Sequence, residues 1–187
     1  MSNNELDDLI LKAIREAEKM KIDMNLKEAS ESGKGTWSEY EATFKAMIYH
    51  QLIENGLDYR KISMENRPEV KKRDDLKRKR IDIWIDETND DYLLEVKMIG
   101  VHPRTKSLLR VYNKKGLYGD LVKLTELLKY YKDEHTFGIA IANYNGPENN
   151  IDCGYIESRL NRDATDFLSP RLKMIICANG ECRYVKN

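Results

Sequence analysis

Residues 80–98 read RIDIWIDETNDDYLLEVKM, two short apolar runs on either side of an acidic and polar cluster. Runs of this length rich in Ile, Leu, Val and Tyr predict two β-strands joined by a turn. Side chains alternate along a strand. Ile81, Ile83 and Ile85 then point one way, and Asp82, Trp84 and Asp86 the other. In the second run Leu93, Glu95 and Lys97 share a face, opposite Tyr92, Leu94 and Val96. Two registers are open. A turn over residues 87–90 pairs Asp86 with Asp91 and sets Asp82 across from Glu95. Carboxylates opposed in this way destabilise a strand pair. A bound divalent cation reverses that sign, because Mg²⁺ is commonly held by one or two carboxylates with water and substrate phosphate. A turn at Asn89-Asp90 alone sets Asp82 across from Lys97, an ion pair that needs no metal. Both registers place Asp82, Glu95 and Lys97 on one face.

Helical periodicity flanks this hairpin. Leu6, Leu9, Ile10, Ala13, Ile14 and Ala17 recur at helical spacing over residues 4–21, capped by Asn3 or Asn4. Residues 29–36, ASESGKGT, read as a linker. A second helix is predicted over residues 37–55, with Tyr40, Phe44, Met47, Ile48 and Leu52 on one face and Gly56 as its stop. Residues 57–79 are polar and basic, and residues 99–117 read as a loop region. A third helix covers about residues 119–132, with Leu121, Leu124, Leu128 and Tyr131 on one stripe. Residues 136–142 read as a short apolar strand and 143–150, NYNGPENN, as turn material. A helix near 156–165 is one reading of residues 151–169. At the end, RLKMIICA and ECRYVK flank Asn179-Gly180, the strongest short hairpin signal. Helices and strands in this order predict an α/β domain, a central mixed β-sheet flanked by α-helices. The N-terminal helix and linker (residues 1–35) precede a domain over residues 36–187.

The 187 residues are enough to bury a core without staples. Lys plus Arg and Asp plus Glu both number 32, which excludes a uniformly basic coat but not a local basic patch. No apolar run approaches the roughly 18 residues of a membrane span, so no membrane partner is expected. The start, MSNNELDD, has no signal-peptide shape. The three cysteines, Cys153, Cys177 and Cys182, form no CxxC pair. An odd, sparse set fits the reducing cytoplasm. Cys177 and Cys182 face each other across a two-residue turn; oxidation would join them, but reduced packed thiols are expected.

Asp82 followed by Glu95-Val96-Lys97 on the next strand resembles the PD-(D/E)xK nuclease superfamily, which has the restriction-endonuclease-like fold. The stretch SEYEATFKAMIYHQLIENG is similar to the first core helix of that family. There Glu41, followed by Phe44, Ile48 and Leu52 at later turns, matches the acidic position best, with Glu39 as the fallback. GDLVKLTELLKYY and TFGIAIA correspond to the later helix and strand, so the resemblance covers about residues 37–142. The Pro of the family name is Ile81 here. The resemblance implies a metal-dependent endonuclease acting on nucleic acid, with DNA as the favoured substrate. Asp82, Glu95 and the Val96 carbonyl would hold Mg²⁺, for which Mn²⁺ could substitute. Lys97 would orient the attacking water, and Glu41 would reach in through water or to a second metal. Asp82→Ala or Lys97→Ala is expected to remove cleavage and leave the fold intact. Family members are often dimeric, so a homodimer is one expected assembly.

Basic residues bracket these positions. Residues 71–80 hold seven Lys or Arg against two Asp and run straight into the Asp82 strand. Arg78, Lys79 and Arg80, with Arg104, Lys106, Arg110, Lys114 and Lys115, are the candidate phosphate contacts, which would give affinity without sequence reading. The other reading of such a run is a solvated face. Lys123, in the DLVKL motif with Asp120, would meet a phosphate or the active site, or stand as a plain surface lysine. Tyr112 and Tyr118 are candidates for base stacking, with ordinary packing as the alternative. His50, His102 and His135 show no metal-ligand spacing. Besides an active nuclease, the same pattern admits a nuclease-like domain that binds nucleic acid or protein without cutting, and an interaction protein whose charged face is an ion pair.

Overall fold

A computed structural model describes residues 3–23, 37–67, 80–86, 91–99, 117–131, 135–143, 151–163 and 171–185. Among these, four α-helices surround one six-stranded mixed sheet: α1 (Asn3–Asp23), α2 (Trp37–Glu54), β1 (Ile62–Asn66), β2 (Ile81–Ile85), β3 (Asp91–Ile99), α3 (Leu117–Tyr131), β4 (His135–Asn143), α4 (Cys153–Asp163), β5 (Leu172–Ala178) and β6 (Glu181–Tyr184). A 3₁₀ turn, Tyr59–Lys61, leads into β1, with the Asp58 carboxylate accepting from the Arg60 N–H. The strands lie in sequence order across the sheet. β1, β2 and β3 form an antiparallel meander; β3, β4 and β5 run parallel; β6 returns antiparallel. The predicted α/β class and mixed sheet are present. The linker at residues 29–36 lies outside the described residues.

Two apolar layers fill the space between sheet and helices. α3 and α4 cover one face, where Leu121, Leu124, Leu128 and Ile156 pack on Leu93, Phe137, Ile139 and Ile176. α1 and α2 cover the other, where Ile10, Ile14, Phe44 and Ile48 pack on Ile83, Leu94, Val96 and Ile175. The amphipathic stripe of α1 is thus part of the main core, joined by a hydrogen bond from Tyr184 Oη to the Asp7 carbonyl. Sandwiched between both layers, β4 is buried from Phe137 to Asn143, as a central parallel strand must be.

Three elements differ from expectation. β1 falls in the stretch read only as polar and basic. Its burial is confined to Ile62, while Met64, Glu65 and Asn66 are exposed, so an edge strand carries no alternating apolar signal. α4 begins at Cys153, three residues before the expected start, because Asp152 caps it by accepting from Tyr155 N–H at 2.7 Å. Cys177 and Cys182 form a disulfide rather than two thiols. Asn179 (φ 53°) and Gly180 (φ 81°) both take the left-handed conformation of a type I′ turn, which sets the two cysteines directly opposite with Cα atoms 4.3 Å apart.

Candidate active site

The β2–β3 register is the one that sets Asp82 toward Glu95. Ile83 pairs with Leu94, Trp84 with Leu93 and Ile85 with Tyr92. The alternative, with Asp82 opposite Lys97, does not occur. The ladder stops at Ile83, and the strict alternation expected for β2 breaks there. Ile83 and Ile85 belong to the α1/α2 layer, whereas Ile81 belongs to the α3/α4 layer. Asp82 is the hinge of this change. Its Oδ2 accepts from Val96 N–H at 2.8 Å, so a side chain takes the place of a backbone partner. Two residues on, Met98 N–H donates to Glu41 Oε2 at 3.3 Å. Successive ladder-facing N–H groups of β3 are therefore covered by carboxylates, one from β2 and one from α2. The two strands fork, and the charged residues gather in the fork.

Lysines reach these carboxylates from both faces of the sheet. From α2, Lys45 Nζ sits 2.6 Å from Asp82 Oδ1 and 2.5 Å from Glu65 Oε1 of β1. From α3, Lys123 Nζ sits 2.6 Å from Glu95 Oε1 and donates to the Arg80 carbonyl at 2.9 Å. Lys97 Nζ lies 3.0 Å from Glu41 Oε2 and 3.3 Å from Asp120 Oδ2, bridging α2 to α3 across the end of β3. Arg80, the described member of the basic run, is largely exposed and approaches Glu65 Oε2 to 4.0 Å. Arg78, Lys79, Arg104, Lys106, Arg110, Lys114 and Lys115 lie outside the described residues, as do Tyr112 and His102.

Glu41, Asp82, Glu95 and Lys97 thus stand near one another: Lys97 pairs with Glu41, and the charge of Asp82 is felt at both Glu41 and Glu95. The expectation of one shared face is corrected for Asp82, which turns into the fork toward α2, while Glu95 pairs with α3. Lys123 is buried and points into the cluster rather than standing on the surface. Two members escaped the sequence reading. Lys45 carried a usable signal, a lysine one turn after Glu41 on an otherwise apolar face. Glu65 carried none, because its strand was not recognised.

Burial governs the electrostatics. Glu95 is only 3% exposed, and desolvation raises its carboxyl to about 8; Lys123 opposes the shift, while Asp82 and Asp120 add to it. Desolvation also raises Glu41, against the pull of Lys97. For Lys97 burial alone would lower the ammonium, but Asp120 and Glu41 outweigh it and the net shift is upward. Lys45 follows the same pattern: burial is overcome by Asp82 and Glu65, and its pKa is pushed up to about 12. Both lysines are held as cations, so neither is a general base near neutral pH.

Five carboxylates (Glu41, Glu65, Asp82, Glu95 and Asp120) thus meet three lysines, with Arg80 at the margin. With Glu95 protonated near neutral pH, the remaining carboxylates are close to balanced by the lysines and Arg80. Glu95 Oε1 has no hydrogen bond of good geometry despite the nearby ammonium. A hard divalent cation suits such oxygen donors. Among the described residues no three His, Cys, Asp or Glu side chains converge as a ready-made metal cage. Two carboxylates completed by a carbonyl, water and a phosphate remain sufficient. A cation at Asp82 or Glu95 would have to share its oxygen with, or take it from, a lysine.

Comparison with protein-family models, curated proteins and solved structures found no match to this chain. Among the described residues no helix is long and apolar enough to cross a membrane.

Proposed function

We propose that the chain is a metal-dependent endonuclease that hydrolyses phosphodiester bonds of nucleic acid, DNA in the first instance, on a restriction-endonuclease-like core of α2, β2, β3, α3 and β4. The observation that carries the reading is the fork between β2 and β3, where Asp82, Glu95, Lys97 and Glu41 stand near one another and the buried Glu95 keeps an oxygen without a good hydrogen bond. Mg²⁺, or Mn²⁺ in its place, would be held by Asp82, Glu95 and the Val96 carbonyl, with Glu41 behind. When bound, it supplies charge neutralisation at the phosphate and an acidified water. Val96 N–H fixes the Asp82 carboxylate by holding one oxygen. Glu41 and Asp120 hold the Lys97 ammonium charged and in place, so that it orients the attacking water and meets the negative charge that develops. In-line phosphoryl displacement asks mainly for such positioning.

A second reading has its own support. Lys45 already pairs with Asp82, and Lys123 stands 2.6 Å from Glu95. A domain whose carboxylates are satisfied by internal lysines is stable without metal, and would bind nucleic acid or a protein partner without cutting it.

The test is cleavage of supercoiled plasmid, single strand, flap, four-way junction and RNA in Mg²⁺, Mn²⁺ and EDTA. Wild type is compared with Asp82→Asn and Lys97→Met. Asn is used because Asp82 satisfies both Val96 N–H and Lys45, so Ala at this position would cost about 2–4 kcal/mol of stability besides any activity. Metal-dependent cutting lost in both variants supports the nuclease. Salt-sensitive binding without cutting supports the second reading, and neither cutting nor binding sinks both.

A further inference from the structure

We propose that Lys45 is a positioning residue with two seats, Asp82 and Glu65, and that a divalent cation arriving at Asp82 shifts its ammonium onto Glu65. The inference rests on the cation-dependent reading above. Oδ2 of Asp82 is held by a backbone donor, Val96 N–H, and Oδ1 by a flexible lysine side chain, so Oδ1 is the oxygen from which a partner can withdraw in favour of a metal. Lys45 Nζ occupies that oxygen at 2.6 Å. Two cations on one buried oxygen repel strongly, because the local dielectric is far below that of water. Lys45 does not have to leave the site to make room. Glu65 Oε1 already accepts from it at 2.5 Å, on the side toward solvent, where Glu65 is 43% exposed against 13% for Asp82.

The backbone is shaped for this second seat. Met64 pairs with Ile83 and Asn66 with Ile81, which leaves Glu65 opposite Asp82. There Glu65 takes φ 55°, a left-handed conformation that a residue with a Cβ adopts at a cost. From this position in the strand its carboxylate meets Lys45. β1 is therefore joined to the candidate site through one ammonium, and the charge on Asp82 is compensated whether or not a metal is present.

The test is Mg²⁺ titration by isothermal calorimetry on the full chain, with Lys45→Met, Glu65→Gln, the double variant and Asp82→Asn. Removing the competing ammonium is expected to tighten Mg²⁺ binding about tenfold in Lys45→Met. Glu65→Gln is expected to weaken binding several-fold when Lys45 is present and to have no effect in the Lys45→Met background, because Glu65 acts through that lysine. An equal loss in both backgrounds shows Glu65 acting by charge alone and overturns the proposal. So does an unchanged or weaker affinity in Lys45→Met. Binding that is lost in Asp82→Asn but indifferent to Lys45 leaves the nuclease reading standing without this inference, whereas no binding in any protein removes both. Lysine side-chain ¹⁵N NMR of the wild type gives a check that needs no variant at Lys45. Its ammonium signal moves with Mg²⁺ saturation if the seat changes, and an unmoved signal overturns the shift.

Discussion

Glu95→Gln should uncouple the stability of the metal-free protein from pH over a defined window. Glu95 is buried on β3, and its carboxyl is raised from 4.5 to about 8. The folded state therefore holds a proton there that the unfolded chain has released. With more protons bound in the folded state, stability falls as pH rises from about 4.5 to about 8, then levels off. The shift of roughly 3.5 units corresponds to at most about 5 kcal/mol. That shift already contains the pull of Lys123; local relaxation and water penetration around a buried charge bring the working figure to on the order of 2–4 kcal/mol. Gln keeps the shape and cannot ionise. The variant should match wild type near pH 4.5 and exceed it by that amount at pH 9. Urea unfolding followed by circular dichroism at pH 4.5, 7 and 9 in EDTA measures it. Every other titrating group is common to both proteins, so the difference between the curves isolates Glu95. Parallel curves, within about 0.5 kcal/mol at all three pH values, would refute the claim that burial raises this carboxyl to about 8.

Three further outcomes follow from the packing. A Cβ at Gly138 would lie 2.7 Å from the Tyr92 hydroxyl and 2.8 Å from its ring, so Gly138→Ala should cost about 1–3 kcal/mol, with Tyr92→Leu recovering most of it in the double variant. Thermal melts of the four proteins close that cycle. Glu18 is fully buried beside Lys21, whose ammonium also donates to the Asn143 carbonyl at 2.6 Å. Glu18→Ala should therefore cost about 3–5 kcal/mol by stranding a buried cation, while Glu18→Leu with Lys21→Met should cost far less, both read by chemical unfolding. Reducing Cys177–Cys182 should lower stability by only about 2 kcal/mol, because the bridge closes a short loop; a drop twice as large in dithiothreitol would contradict this.

Element type was legible wherever one face of an element meets the core. The apolar stripes of α1, α2 and α3, the buried run of β4 and the Asn179-Gly180 turn all carry their periodicity or turn chemistry locally. β1 was not legible, because an edge strand exposed beyond Ile62 needs no apolar alternation. The start of α4 was missed because its cap, Asp152, precedes the apolar pattern.

For the candidate site, the chain by itself determined which charged residues stand on which elements. Glu41 lies on a helix, Asp82 on one strand, and Glu95 and Lys97 on the next, because alternation and helical spacing are local properties. Tertiary structure decided how they meet. The two registers open in the sequence differ by two residues and bury the same faces, so apolar patterning could not choose between them; the ladder formed in the sheet, Ile83 with Leu94 and Ile85 with Tyr92, sets Asp82 toward Glu95. The pairing of Lys45 with Asp82 and Glu65, and of Lys123 with Glu95, joins residues far apart along the chain. Charge partners of this kind come from how helices dock on a sheet, and no local pattern encodes that docking.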